Sequence, residues 1–192
     1  MQTCIGIDIE TTDTKKTAKI LSIGAVVYEV CSSTYPFSVL DSFYVNIEPK
    51  SYKPYGNKFT TSVDTMEFWL DNPEAFILLQ KDRHNIREAL EKLTNWYREM
   101  RDMHGGIDCV VGKPSHFDIA IIENAYEALG EESQIPWTHR QVRCLRTIYD
   151  TLNFDQNTVP FVGVQHNALD DATWQARGHY AAITNRQITK LE

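Results

Sequence analysis

The chain has 192 residues, 42% hydrophobic and 23% charged, which excludes a disordered or low-complexity segment and leaves room for one well-buried domain, residues 1–192. A net charge of −7 speaks against a partner held by bulk positive charge, nucleic acid included, but two divalent cations bound by acids would reduce it to −3, so that partner class stays open. No apolar run approaches the ~20 residues of a bilayer span and no basic-then-apolar leader opens the chain, so no membrane partner is expected and the cytoplasm is the expected location.

The first element is written in "CIGIDIETT". Ile5, Ile7 and Ile9 alternate with Gly6, Asp8 and Glu10, the period of a strand with two unlike faces. The segments Ala18 to Val30 and Phe37 to Pro49 are rich in β-branched and aromatic residues and continue it as an antiparallel meander. "SYKPYGNKFT" has two prolines and a glycine and reads as loop. Asp64 and Glu67 have capping-box spacing for a helix start, and Asn72-Pro73 opens another. From Ile86 through Ala89, Leu90, Leu93, Trp96, Tyr97 and Met100 to Met103, apolar residues recur at helical steps, until Gly105-Gly106 stops the run. "IDCVVG" is a short apolar strand. The next helix carries Ile119, Ile122, Tyr126 and Leu129 on one stripe and stops at Gly130. "QVRCLRTIYDTL" and "ALDDATWQARGHYAAIT" read as two more helices. Strands first, then helices mixed with single strands, predict an α/β domain with a mixed sheet.

Cys4, Cys31, Cys109 and Cys144 are far apart and never in C-x-x-C spacing, so they read as free thiols rather than a zinc site or disulfide framework. The informative residues are acids. Asp8 and Glu10 leave the same strand face side by side. Asp118 stands where a strand gives way to a helix, and His166 precedes Asp171 by five residues at the start of the last helix. Singly, each has a plain structural reading: a solvated carboxylate, a charge favouring a helix N-terminus, a packed histidine. Together they are the inventory for hydrolysing a phosphodiester. Hard divalent cations take carboxylate oxygens, two of them can clamp the attacking and leaving oxygens, and a histidine is the natural base near neutral pH.

In that order and spacing, D-x-E at a strand end, an Asp opening a mid-chain helix and His166-x-Ala168-x-x-Asp171 resemble the DEDDh 3′→5′ exonucleases. Within that superfamily, "DTMEFWLDNPEAF", "SHFDIAIIENAYEALG", "PWTHRQVRCLRTI" and "VQHNALDDATWQA" resemble the branch with the mycobacterial-type 3′→5′ exoribonuclease and exonuclease A of T-even phages. That branch carries an Arg-Asp-Val-Arg-Thr run; here the acid is replaced by Cys144. The resemblance implies a ribonuclease H-like fold, with an antiparallel meander plus parallel strands flanked by helices. It implies a metal-dependent 3′→5′ exonuclease for single-stranded DNA or RNA that releases nucleoside 5′-monophosphates. Asp8, Glu10, Asp118 and Asp171 would hold two Mg²⁺ or Mn²⁺ ions and His166 would be the general base, with Glu10 and the backbone around Thr11 meeting the terminal ribose. Homodimerisation, and a host's cytoplasm for a phage-encoded chain, are further implications of the resemblance alone.

For the strand itself, Arg140, Arg143 and Arg146 recur every three residues, which on a helix makes either a phosphate rail or a solvated face. Phe117 is either a stacking surface or a core residue, and His116 and Asn124 neighbour Asp118 in sequence. Lys50, Lys53, Lys58, Tyr52, Tyr55 and Phe59 make a basic and aromatic loop that suits nucleic acid or an ordinary surface. The alternatives to an exonuclease are a phosphodiesterase for short oligonucleotides and a non-catalytic nucleic-acid binder on the same fold. Nucleotide-binding and serine-hydrolase motifs are missing.

Overall fold

The computed structural model describes residues 2–31 and 36–185. A mixed sheet runs β4-β3-β2-β1-β5-β6, with helices on both faces, an α/β arrangement consistent with the ribonuclease H-like fold. Its first three strands, β1 (Gln2–Thr11), β2 (Ile20–Val30) and β3 (Val39–Ile47), form the antiparallel meander. β4 (Arg83–His84) joins β3 in parallel, and β5 (Cys109–Gly112) and β6 (Val142–Cys144) extend the other side in parallel. No helix among the described residues is long and apolar enough to cross a membrane.

The alternation in β1 divides two cores. Ile5, Ile7 and Ile9 pack with Leu90, Leu93 and Tyr97 of α3 (Ile86–Met103) and with Ile119, Ile122 and Tyr126 of α4 (Ser115–Leu129). The opposite face is covered too. Cys4, Val26, Cys109 and Val111 pack with Leu145 and Tyr149 of α5 (Leu145–Leu152) and Ala172 and Ala176 of α6 (Ala168–Thr184). Ala168, Ala172 and Ala176 are fully buried at four-residue steps, so small side chains let the α6 backbone settle on the sheet. At Gly24 the approach is so close that a Cβ there would lie 2.2 Å from the Ala168 carbonyl carbon. Only glycine fits.

Four local expectations are corrected. The segment Gln141 to Leu152 is not one helix: Val142 pairs with Val110 as an edge strand before α5 begins, so Arg140, Arg143 and Arg146 share no helical face. "SYKPYGNKFT" is largely 3₁₀-helical over Pro49–Lys58; Tyr52 and Phe59 are buried in the core, and the Tyr52 hydroxyl bonds both backbone groups of Ile20. α1 (Val63–Asp71) is capped by Ser62 through Thr65 N (3.1 Å), two residues before Asp64. α2 (Pro73–Leu78) opens at Asn72-Pro73 as expected. Met103, the last residue of α3, is 64% exposed and so lies off the buried stripe that ends with Met100.

Candidate active site

The carboxyl ends of the parallel neighbours β1 and β5 meet the N-termini of α4 and α6 around a cleft of ≈ 550 Å³. Asp8 and Glu10 enter from β1, on the strand face that α6 covers. The pairing with β2 shifts register just after Glu10, where Leu21 is the extra residue between Ser22 and Ile20. Asp118 enters from the first turn of α4, only 2% exposed, with its Oδ2 accepting from the Lys113 N–H at 2.7 Å. Gly112 makes room for it, since a Cβ there would lie 3.0 Å from the same oxygen.

α6 supplies the rest. Asn167 caps it by accepting from Leu169 N and Asp170 N, which fixes where the helix starts. Its two adjacent acids then diverge. Asp170 turns back to accept from Val164 N (2.8 Å), whereas Asp171 lines the cleft and accepts from His166 N (2.8 Å). His166 adopts a left-handed backbone, φ 65, a conformation that costs a non-glycine residue about 1 kcal/mol and is held by that bond. Its ring packs edge-on against Phe68 of α1, centroids 4.8 Å apart. A ring nitrogen of His166 and carboxylate oxygens of Glu10 and Asp171 lie within 4.8 Å of one another.

The hydrogen bonds the four acids accept come from neutral donors, while Arg146 acts on Asp118 and Lys113 on Asp171 only through their charge. Asp8 accepts from Gln175 Nε2 (2.6 Å), Asp118 and Asp171 from backbone N–H groups, and the carboxylate of Glu10, a residue 9% exposed, has no hydrogen-bond donor among the described residues. No lysine or arginine among the described residues pairs with any of them within 4.0 Å. Burial, then the charges of Asp118, Glu10 and Asp171, push the Asp8 carboxyl well above the usual range. Burial, Asp171 and Asp118 do the same to Glu10. Burial raises Asp118 to about 7 against its backbone hydrogen bonds and Arg146, and raises Asp171 against the backbone N–H of His166. A pocket that gathers acids at this cost, with oxygen donors and open volume between them, fits hard divalent cations such as Mg²⁺ or Mn²⁺.

Of the residues considered for the substrate, His116, Phe117 and Arg146 line this cleft together with Asp8, Glu10, Asp118, His166 and Asp171. His116 and Arg146 are exposed, and half-buried Phe117 also packs on the core beneath. Thr11, Asn124 and Arg143 do not line it. The buried Thr11 hydroxyl donates to Asp13 O (2.7 Å), Asn124 lies further along α4, and the Arg143 guanidinium on β6 donates to the carbonyls of Arg140 and Val142. Sequence reasoning missed Thr14, Lys113, Trp174 and Gln175, which line the cleft, and Phe68, which packs against His166. Trp174 and Gln175 were legible in principle: they follow Asp171 by three and four residues and share its helix face.

Among family models, that of the 3′-5′ exoribonuclease Rv2179c-like domain matches residues 3–183, a span containing every residue of the cleft. No curated protein matches the chain.

Proposed function

The chain belongs to the family of the 3′-5′ exoribonuclease Rv2179c-like domain, and from that premise we propose that it shortens single-stranded RNA from the 3′ end at this cleft, releasing nucleoside 5′-monophosphates. The observation that carries the proposal is the convergence of Asp8, Glu10, Asp118 and Asp171 from three elements around one opening, unpaired with any cation and beside an imidazole. That convergence supports reading the set as the DEDDh arrangement that the sequence resembles.

In this reading the four carboxylates hold two Mg²⁺ or Mn²⁺ ions. When bound, the ions supply positive charge that offsets the charge building on the phosphodiester during displacement. The chain's own residues do the remainder. His166 takes a proton from the attacking water at a ring nitrogen, its plane fixed by Phe68 and its place on the backbone by Asp171. The water oxygen bonds to phosphorus as the bond to O3′ of the penultimate nucleotide breaks, and that oxygen leaves with a solvent proton. Gln175 keeps the Asp8 carboxylate oriented, and the Lys113 N–H does so for Asp118.

The test is a 5′-labelled single-stranded RNA, and its DNA counterpart, incubated with Mg²⁺ or Mn²⁺ and resolved nucleotide by nucleotide. The expected result is a ladder descending from the 3′ end of the RNA, suppressed by EDTA and by Asp118→Asn. A single internal cut, or an undiminished substrate, would overturn the proposal.

A further inference from the structure

The cleft has a second feature that the acid cluster does not use. Lys113 lines it, half-buried, in the turn between β5 and α4, and its ammonium is not on a carboxylate. It sits 4.7 Å from the centroid of the Trp174 ring. None of the four acids of the same cleft comes within 4.0 Å of a lysine or arginine nitrogen. A flexible four-carbon chain beside four acids would ordinarily fall onto one of them, because a charge-assisted pair outbids an aromatic face at close range. The indole therefore acts as a fixed seat. Trp174 projects from α6 three residues after Asp171, its Nε1 donates to Val159 O at 2.8 Å, and Phe161 packs edge-on against its ring at 5.6 Å.

We propose that Lys113, held off the carboxylates by Trp174, grips a phosphate oxygen of the RNA strand beside Arg146, the other cationic chain in the lining. The inference rests on the nuclease reading of the cleft and adds to it a division of labour. Acids and cations face one opening, and the indole keeps them from neutralising each other before substrate arrives. The backbone and side chain of one residue serve both halves, since the Lys113 N–H orients Asp118 while its ammonium is turned to the strand. Lysine suits this as a compact charge that meets phosphate without a fixed fork. Without the seat, the ammonium would swing into the acid cluster and compete there with divalent cations.

Three variants separate this from a merely structural role, read by steady-state cleavage of a short single-stranded RNA and by calorimetric Mn²⁺ binding without RNA. Lys113→Met is expected to lower kcat/KM about tenfold, mainly through KM, and to flatten the dependence of log KM on log salt by roughly the 0.7 expected for one phosphate contact on a single strand. Lys113→Arg should restore most of it. Trp174→Leu is expected to weaken Mn²⁺ binding several-fold, and the double variant Lys113→Met/Trp174→Leu should regain wild-type Mn²⁺ affinity, because no ammonium is left to intrude. If the double variant binds Mn²⁺ as poorly as Trp174→Leu, the seat is refuted. If Lys113→Met keeps the wild-type KM and salt slope in an otherwise active nuclease, the phosphate grip is refuted while the proposed function stands. If the wild-type protein does not shorten RNA at all, the nuclease reading falls and takes this inference with it.

Discussion

Replacing Gly24 by alanine tests how the site is assembled without touching any residue that does chemistry. Gly24 pairs with Asp8 across β1 and β2, and its missing Cβ is the space into which the start of α6 descends. A methyl group there would stand 2.2 Å from the Ala168 carbonyl carbon, 2.3 Å from its oxygen and 2.3 Å from Leu169 N. All three are backbone atoms, so no side-chain rotation relieves the clash. Restoring ordinary contact requires the first turn of α6 to lift by more than about 1 Å, an overpacking that costs roughly 1–3 kcal/mol. His166 and Asp171 lie within three residues of Ala168 and move with it, while Asp8 and Glu10 stay on β1. A misplacement of about 1 Å is enough to cost on the order of 10²-fold in rate. The expected result is a folded Gly24→Ala protein with a Tm lower by several degrees, activity on labelled RNA down about 100-fold and clearly weaker Mn²⁺ binding. Wild-type activity and Mn²⁺ affinity in that variant would show that the catalytic geometry does not depend on α6 being seated against β2.

Asp118 has a carboxyl raised to about 7, so in the cation-free protein its charge is disfavoured by folding and stability falls as pH rises from about 4 to about 7. Asp118→Asn, whose amide oxygen can still accept from Lys113 N, should remove that loss and raise stability above pH 7 by at most about 4 kcal/mol, measured by thermal denaturation in EDTA across this range. Adding Mn²⁺ should raise the Tm of the wild-type protein by an amount corresponding to about 2.7 kcal/mol per bound ion at a hundred times its Kd, and Asp171→Asn should abolish most of that rise. His166→Asn should lower kcat by about 10²–10⁴-fold with no loss of Tm, because asparagine tolerates the positive φ at this position; a near-normal kcat would remove the imidazole from the mechanism.

The parts of this molecule legible in its sequence are those where local pattern and tertiary environment agree. The alternation in β1, the apolar stripe of α3 and the stop at Gly130, φ 73, are all kept in the fold. Asp8, Glu10 and Asp171 could be singled out because D-x-E lies within β1 and H-x-A-x-x-D runs across the start of α6, and Asp118 because it stands where a strand gives way to a helix. What was hidden depends on partners distant in sequence. β6 has three residues and owes its identity to the parallel pairing of Val142 with Val110, so the arginine spacing around it mimics a helical stripe that does not form. Tyr52 and Phe59 sit among prolines and lysines yet are buried, because β2 and a neighbouring ring await them. Nothing in "LSIGAVV" marks Gly24 as a point where a helix 144 residues later leaves no room for a Cβ.

The same dependence explains why the acids tolerate their crowding. A single long element could not hold four carboxylates together; repulsion would unwind it or turn the side chains to water. Here Asp8 and Glu10 are fixed by a central strand that stays paired with β2 through both of them, and Asp118 and Asp171 by the first turns of two helices whose N-terminal dipoles favour negative charge. The strain is therefore carried by the cores on either side of the sheet, Ile5, Ile7 and Ile9 against α3 and α4, and the alanine face of α6 against β1 and β2. A weakened core need not unfold the protein to silence it. It has only to let one of those elements drift, and the cations would bind less tightly before the fold is lost. Ala172→Gly, which loosens α6 without adding bulk, should accordingly reduce Mn²⁺ affinity by a larger fraction at 37 °C than at 15 °C, both temperatures lying below its Tm; equal fractional losses would mean that the acids are placed by something other than the packing of this helix.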